Sequence, residues 1–171
     1  VGDWDRPLTP EEQERVVRAR RTAFLLYEGR VTPHRSCGIT LAETFGRPTA
    51  PYQALRRGGI TGQGECGVIV GARLVLGEVF GDPDPTGPVT GALRAAMSDF
   101  EQRWRGRIDR GAAPGSDIVC DTLTRPFDDF RSPGRHAFCT ALATEVATLL
   151  AEVIVRNGGD FPSPPLPAEP G

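Results

Sequence analysis

The chain contains no lysine; all 20 basic side chains among its 171 residues are arginine. That absence removes Schiff-base chemistry, a phosphate-loop lysine and a lysine general base in one step. No two of the four cysteines stand close together, so C-x-x-C spacing is missing. This argues against a thioredoxin-type site and against zinc knuckles or fingers. Long apolar runs are missing too, and no membrane partner is expected. The formal charge of −2 leaves no strong field of either sign, and no nucleic-acid partner is expected. Arginines do cluster, at Arg18, Arg20, Arg21 and at Arg103, Arg105, Arg107, Arg110. Both sets are interleaved with acids or apolar residues at helical spacing and read as solvated helix faces. Arg20-Arg21 followed by Phe24-Leu25-Leu26 resembles a twin-arginine leader, but Tyr27-Glu28-Gly29-Arg30 interrupts the apolar stretch, which reads as helix. The expectation is a cytoplasmic protein, with a trimmed leader ahead of Val1 left open.

What is present reads as helices. Residues 1–9 read as an arm, because Pro7 discourages regular structure there. Thr9 and Glu12 form a capping-box pattern with Pro10 at the first helical position, predicting a helix over about 10–28 that Gly29 ends. Shorter helices are expected around 35–45 and 50–57. The run 67–80 is β-branched at its start, yet its length favours a buried helix. Gly67 and Gly71 lie four apart on one face of it, where another backbone can approach closely. Residues 81–87 form a loop; its two aspartates lack calcium-ligand spacing and read as a turn. A helix over about 88–109 follows from Val89, Leu93, Ala96, Met97, Phe100, Trp104 and Ile108, stepping by three or four. Ser116 or Asp117 can cap a short helix holding Ile118, Val119, Cys120 and Leu123. A last helix over about 134–156 places Phe138, Leu142, Val146, Leu149, Leu150, Val153 and Ile154 on one side. Residues 158–171 hold five prolines and read as a disordered tail. The expected fold is all-α: a compact bundle of five to seven helices in a single domain over 10–157.

The segment GQGECG, residues 62–67, matches the glycine pattern of dinucleotide-binding turns. Such a turn needs a strand before it and a helix after it within a βαβ unit. Helix and turn precede this one, so that reading falls. Hydrolase chemistry of the Ser-His-Asp or Cys-His kind finds no surrounding signature either.

The cysteines come from different predicted helices or helix mouths, and helices converging in a bundle could gather them. Cys37 and Cys66 sit near predicted helix starts, where unpaired N–H groups and the macrodipole favour thiolate. Cys120 follows an apolar pair, and Cys139 lines up with Val146 and Leu150 and faces inward. Both histidines stand three residues before a cysteine, His34 before Cys37 and His136 before Cys139. They are candidates for an outer layer around sulfur. Taken alone, the cysteines read first as small buried hydrophobes, the common fate of a free cysteine, and after that as two disulfides of an exported protein or as a functional set.

A lone cysteine, a C-G-x-x-x-G element and two widely spaced cysteines together resemble the C-GCAxxG-C-C family of redox-active four-cysteine proteins. Here these are Cys37, then Cys66-Gly67 with Gly71, then Cys120 and Cys139, over roughly residues 20–155. Val68 stands where the family usually has alanine. The resemblance implies a redox-active site of four cysteines. One chemistry that fits is an iron–sulfur cluster, most simply 2Fe–2S, ligated by Cys37, Cys66, Cys120 and Cys139. Backbone N–H groups of Gly62, Gly64 and Gly67 would then face cluster sulfur. A second is thiol–disulfide exchange, as an oxidoreductase or redox sensor, with Cys66 as the attacking thiolate. A mononuclear Cys₄ zinc or iron site is a third. The expected partner is a redox protein or enzyme, and a homodimer would suit a small cluster domain. A different class of function is a non-catalytic docking protein, with the Pro-rich tail as its arm.

Overall fold

The computed structural model describes residues 2–168, and within them the architecture is all-α, with seven helical elements. Helix α1 (Pro10–Glu28) starts at the capping box that the sequence predicts. Thr9 Oγ1 accepts from the Glu12 amide, the Glu12 carboxylate accepts from the Thr9 amide, and Gly29 ends the helix in the left-handed region. Helix α2 (Gly38–Thr44) is shorter than the expected 35–45 because the Arg35 amide is engaged by Leu26 O (2.8 Å) and Cys37 has φ +49°. The segment expected as a helix over 50–57 is a 3₁₀ helix (Ala50–Leu55). It gives way to left-handed residues at Arg57, Gly58, Gly59 and Ile60.

Helix α3 (Gly67–Phe80) buries most of its length, so packing overrides the strand preference of Val68, Ile69 and Val70. The close approach expected at Gly67 and Gly71 is present. A Cβ on Gly71 would lie 2.9 Å from Gly38 Cα, so α2 and α3 touch backbone to backbone. Helix α4 (Gly91–Arg107) begins later than expected, capped by Thr90, and Val89 lies outside it, exposed. Helix α5 (Cys120–Thr124) also begins late. Asp117 does not cap it but accepts from the Val119 amide (2.8 Å), and Ile118 and Val119 pair with Glu65 and Cys66 instead.

Helix α6 (Pro133–Arg156) is the central element and packs most extensively on α1, with further contacts to α2, α3 and α4. By length and composition it could cross a membrane, which the sequence reading did not anticipate; 72% of its most apolar window is buried inside this fold. Its buried Thr140, Thr144 and Thr148 hydroxyls donate to carbonyls one turn back, at 2.7 Å each. The polar groups are thereby satisfied within the helix. Trp104, Phe100, Leu149, Leu150 and Ile154 fill the centre of the core.

Both terminal segments lie on this core. Trp4 carries the Arg103 and Arg156 guanidinium groups over its ring, at 3.7 and 4.9 Å, and the Gly2 amide donates to buried Asp99. The expectation of disorder from residue 158 is corrected at the start of the tail. Phe161 is 4% exposed, its ring 4.8 Å from that of Phe45, with the Arg15 guanidinium 4.4 Å above it. Arg18 holds Pro164 O at 3.0 Å. An aromatic side chain and two arginines provide what the proline count did not reveal. The last part of that expectation, residues 169–171, lies outside the described residues.

Candidate four-cysteine site

Three of the four cysteines stand where helices begin: Cys37 precedes α2, Cys66 precedes α3 and Cys120 opens α5. Cys139 lies in the second turn of α6. All four line one cavity of about 30 Å³, on the scale of a single water molecule. Tyr27, Phe138 and Leu142 close it with aromatic and aliphatic surface.

Two devices bring the sulfurs there. The first is the glycine crossing of α2 and α3. A Cβ on Gly67 would meet the Leu55 carbonyl carbon at 2.9 Å and Cys37 Cβ at 3.0 Å. The second is a short antiparallel pairing between 62–66 and 118–121. The Cys66 amide donates to Ile118 O (2.7 Å), the Cys120 amide to Gly64 O (3.0 Å) and the Asp121 amide to Gly62 O (2.9 Å). Gly58 lets a third strand of chain lie against this pairing: its φ is +58°, and a Cβ there would fall 2.6 Å from Cys120 Cβ.

Two of the three amides expected to face sulfur, those of Gly62, Gly64 and Gly67, are differently placed. Those of Gly62 and Gly64 donate to Arg57 O (2.8 Å) and Gly58 O (3.0 Å), closing the loop on itself. Other amides take the role. That of Arg57 faces the Cys37 sulfur, and those of Val68 and Ile69 face Cys66 without closing a formal helix cap. The Arg57 amide escapes the sequence because its direction depends on the left-handed turn at 57–60, whereas the Val68 and Ile69 amides are the unpaired N–H groups expected at the start of α3.

Burial decides the protonation of the thiols. The expectation that helix starts would favour thiolate at Cys37 and Cys66 is overturned. Burial pushes the Cys66 thiol far up, with Cys37 nearby adding to the effect, and the Val68 and Ile69 amides do not compensate. Burial likewise raises Cys37, against the pull of the Arg57 amide. Cys120 is pushed up to about 12, by burial first and then by Cys37, Cys139 and Asp121. The thiols sense one another across the cavity. All four are free.

The histidines are not among the residues lining this cavity. His34 Nδ1 pairs with Tyr27 O, and His136 Nε2 with Glu28 O at 2.9 Å. Since carbonyls only accept, both nitrogens donate, and the two rings satisfy carbonyls left open at the end of α1. They pack edgewise at 5.2 Å and flank the Tyr27 ring at 4.8 and 5.8 Å. Tyr27, which the sequence presents only as part of α1 and not as a site residue, forms the cavity wall on their side, and burial first, then the thiols, push its hydroxyl up.

Four thiols are the number an iron–sulfur cluster requires; the four here share one apolar cavity, which at about 30 Å³ would have to widen to take such a group. Among the described residues, no three Cys, His, Asp or Glu side chains gather around one point as the ligands of a single ion would. A cluster divides its four thiolates between two or more irons and so asks for a common cavity more than a common point. No family model, curated protein or solved structure matches the chain.

Proposed function

We propose that the chain is a redox protein whose Cys37, Cys66, Cys120 and Cys139 hold an iron–sulfur cluster, most simply 2Fe–2S, and that it exchanges electrons with a partner protein. The observation that supports this is the meeting of four thiols from four helices in one apolar cavity. Buried thiolates are unfavourable alone, and cationic iron compensates them. When bound, such a cluster supplies one-electron transfer. The chain's own part is to fix the four sulfurs on α2, α3, α5 and α6 and to exclude water with Tyr27, Phe138 and Leu142. The amides of Arg57, Val68 and Ile69 and the guanidinium of Arg135, which also lines the cavity, offset the negative charge of four thiolates.

The second reading is metal-free thiol–disulfide exchange. Cys66 suits the attacking role poorly, being 9% exposed and held as a thiol by burial. Cys37 suits it better, since it also borders an open cleft.

Purification without oxygen, followed by reconstitution with iron and sulfide, tests the first reading. A brown protein with equal amounts of iron and acid-labile sulfide is expected, and each Cys→Ser variant should lose both. A colourless product that is folded and keeps four titratable thiols would overturn it, and a change of two thiols on mild oxidation would favour the second.

A further inference from the structure

Beside the cysteine cavity, sharing Cys37 as part of its wall, lies a cleft of about 330 Å³ open to solvent. Arg56 and Arg57 enter it from the turn after the 3₁₀ helix, and Arg135 from the first turn of α6. Among the described residues no carboxylate lines it. Among the described residues none of these three arginines forms an ion pair, although eight other arginines do. The Arg57 and Arg135 guanidinium groups both rest on the Phe130 ring, at 4.9 and 4.2 Å. That stacking fixes two forks without using their outer donors. Ser36 adds a hydroxyl to the wall that is shielded from water and has no hydrogen-bond partner. A buried hydroxyl left unpaired is unfavourable unless something arrives to pair with it.

Arg56 Nη1 donates to Gln53 Oε1 (3.4 Å) and Arg135 Nε to Phe130 O, which leaves their remaining donors free. Three guanidinium groups without an acidic partner and one unpaired hydroxyl in a concave site form the chemistry of an oxyanion receptor. The volume lies in the range of small-molecule pockets. Phe130 and Ile60 offer apolar surface to the body of such a molecule. We propose that this cleft binds a small organic anion whose phosphate or carboxylate groups engage Arg56, Arg57, Arg135 and Ser36, seated against Cys37. The cleft shares Cys37 and Arg135 with the cysteine cavity but does not require a cluster, because its donors are complete with the thiols free.

The test is titration of the full reduced chain, at low ionic strength, with inorganic phosphate and separately with malonate. Heat and amide chemical shifts are both followed. Saturable one-site binding of at least one probe is expected, with shifts confined to residues 34–37, 56–60 and 130–135. Arg57→Gln and Arg135→Gln should each weaken it roughly tenfold or more, as for a lost charge-assisted pair. Arg94→Gln, an exposed arginine on α4, should leave it unchanged. Preference for phosphate assigns a phosphate ester, and preference for malonate a dicarboxylate. Absence of saturation with both probes, shifts scattered over the surface, or equal weakening by Arg94→Gln would overturn the proposal. The shift map needs no variant, so misfolding of a variant leaves the test intact.

Discussion

Gly67→Ala and Gly77→Ala place the same methyl group on the same helix, and the structure predicts opposite outcomes. At Gly67 the new Cβ would fall 2.9 Å from the Leu55 carbonyl carbon, closer still to its oxygen, and 3.0 Å from Cys37 Cβ. Ordinary carbon–oxygen contacts begin near ~3.3 Å. The obstacle is backbone, so no side chain can rotate away, and α3 must separate from the Leu55 turn and from Cys37. Overpacking of this kind costs about 1–3 kcal/mol, and more where the neighbour is rigid. The gain in helix propensity from glycine to alanine offsets at most about 1 kcal/mol. With a rigid backbone neighbour the cost falls at the upper end, so a net loss of about 2 kcal/mol is expected, which lowers Tm by roughly 4–8 °C for a chain of this size. Gly77 lies in the same helix with no heavy atom within 4 Å of its ideal Cβ. There the propensity gain stands alone, and Gly77→Ala should stabilise by up to about 1 kcal/mol. Urea melts of both variants, with the thiols kept reduced, measure the difference. If Gly67→Ala matches or exceeds the parent in stability, the crossing of α2 and α3 is not as tight as described and the reasoning fails.

Three further outcomes are expected. Phe161→Ala should lower the urea midpoint by the equivalent of about 2–3 kcal/mol, less than for a central phenylalanine because the ring sits at the edge of the core; an unchanged midpoint would mean the tail is not docked. Thr9→Ala should cost about 1 kcal/mol by removing the cap of α1, and Thr9→Ser should recover most of it. Burial alone would raise the Asp99 carboxyl, but hydrogen bonds from Asn157 and the Gly2 amide hold it below the usual carboxylate range. Its contribution is therefore present above the unfolded value near ~3.9 and is lost as pH falls through the lower folded value. Acid titration of stability should be shallower in Asp99→Asn than in the parent, and parallel curves would refute the assignment.

What the sequence made legible was local. The Thr9–Glu12 box, the left-handed stop at Gly29, the long apolar side of α6 and the small-residue face at Gly67 and Gly71 all lie within a turn or two of the residues that reveal them. What escaped depends on distant partners. Asp117 was a plausible cap until Ile118 and Val119 paired with Glu65 and Cys66, more than fifty residues earlier. The spacing of His136 from Cys139 suggested sulfur, but its ring reaches Glu28 O, 108 residues away in the chain. The helix-start argument for thiolates at Cys37 and Cys66 was sound for exposed groups and failed because burial outweighs a few amide dipoles. The tail was judged on its prolines, and Phe161 was the residue that mattered.

The order of the four thiols along the chain also sets a timetable. Cys37, Cys66 and Cys120 are all synthesised before Cys139, and the first two leave the ribosome before it is made. At about 5–20 residues per second, roughly 5–20 s separate the first thiol from the last. During that interval α6 is incomplete, and the wall contributed by Phe138, Cys139 and Leu142 does not exist. The early thiols are then open to oxidants, and any metal encountering them meets an unfinished set of ligands. Docking of α6 on α1 is thus the event that both completes the fold and seals the sulfurs.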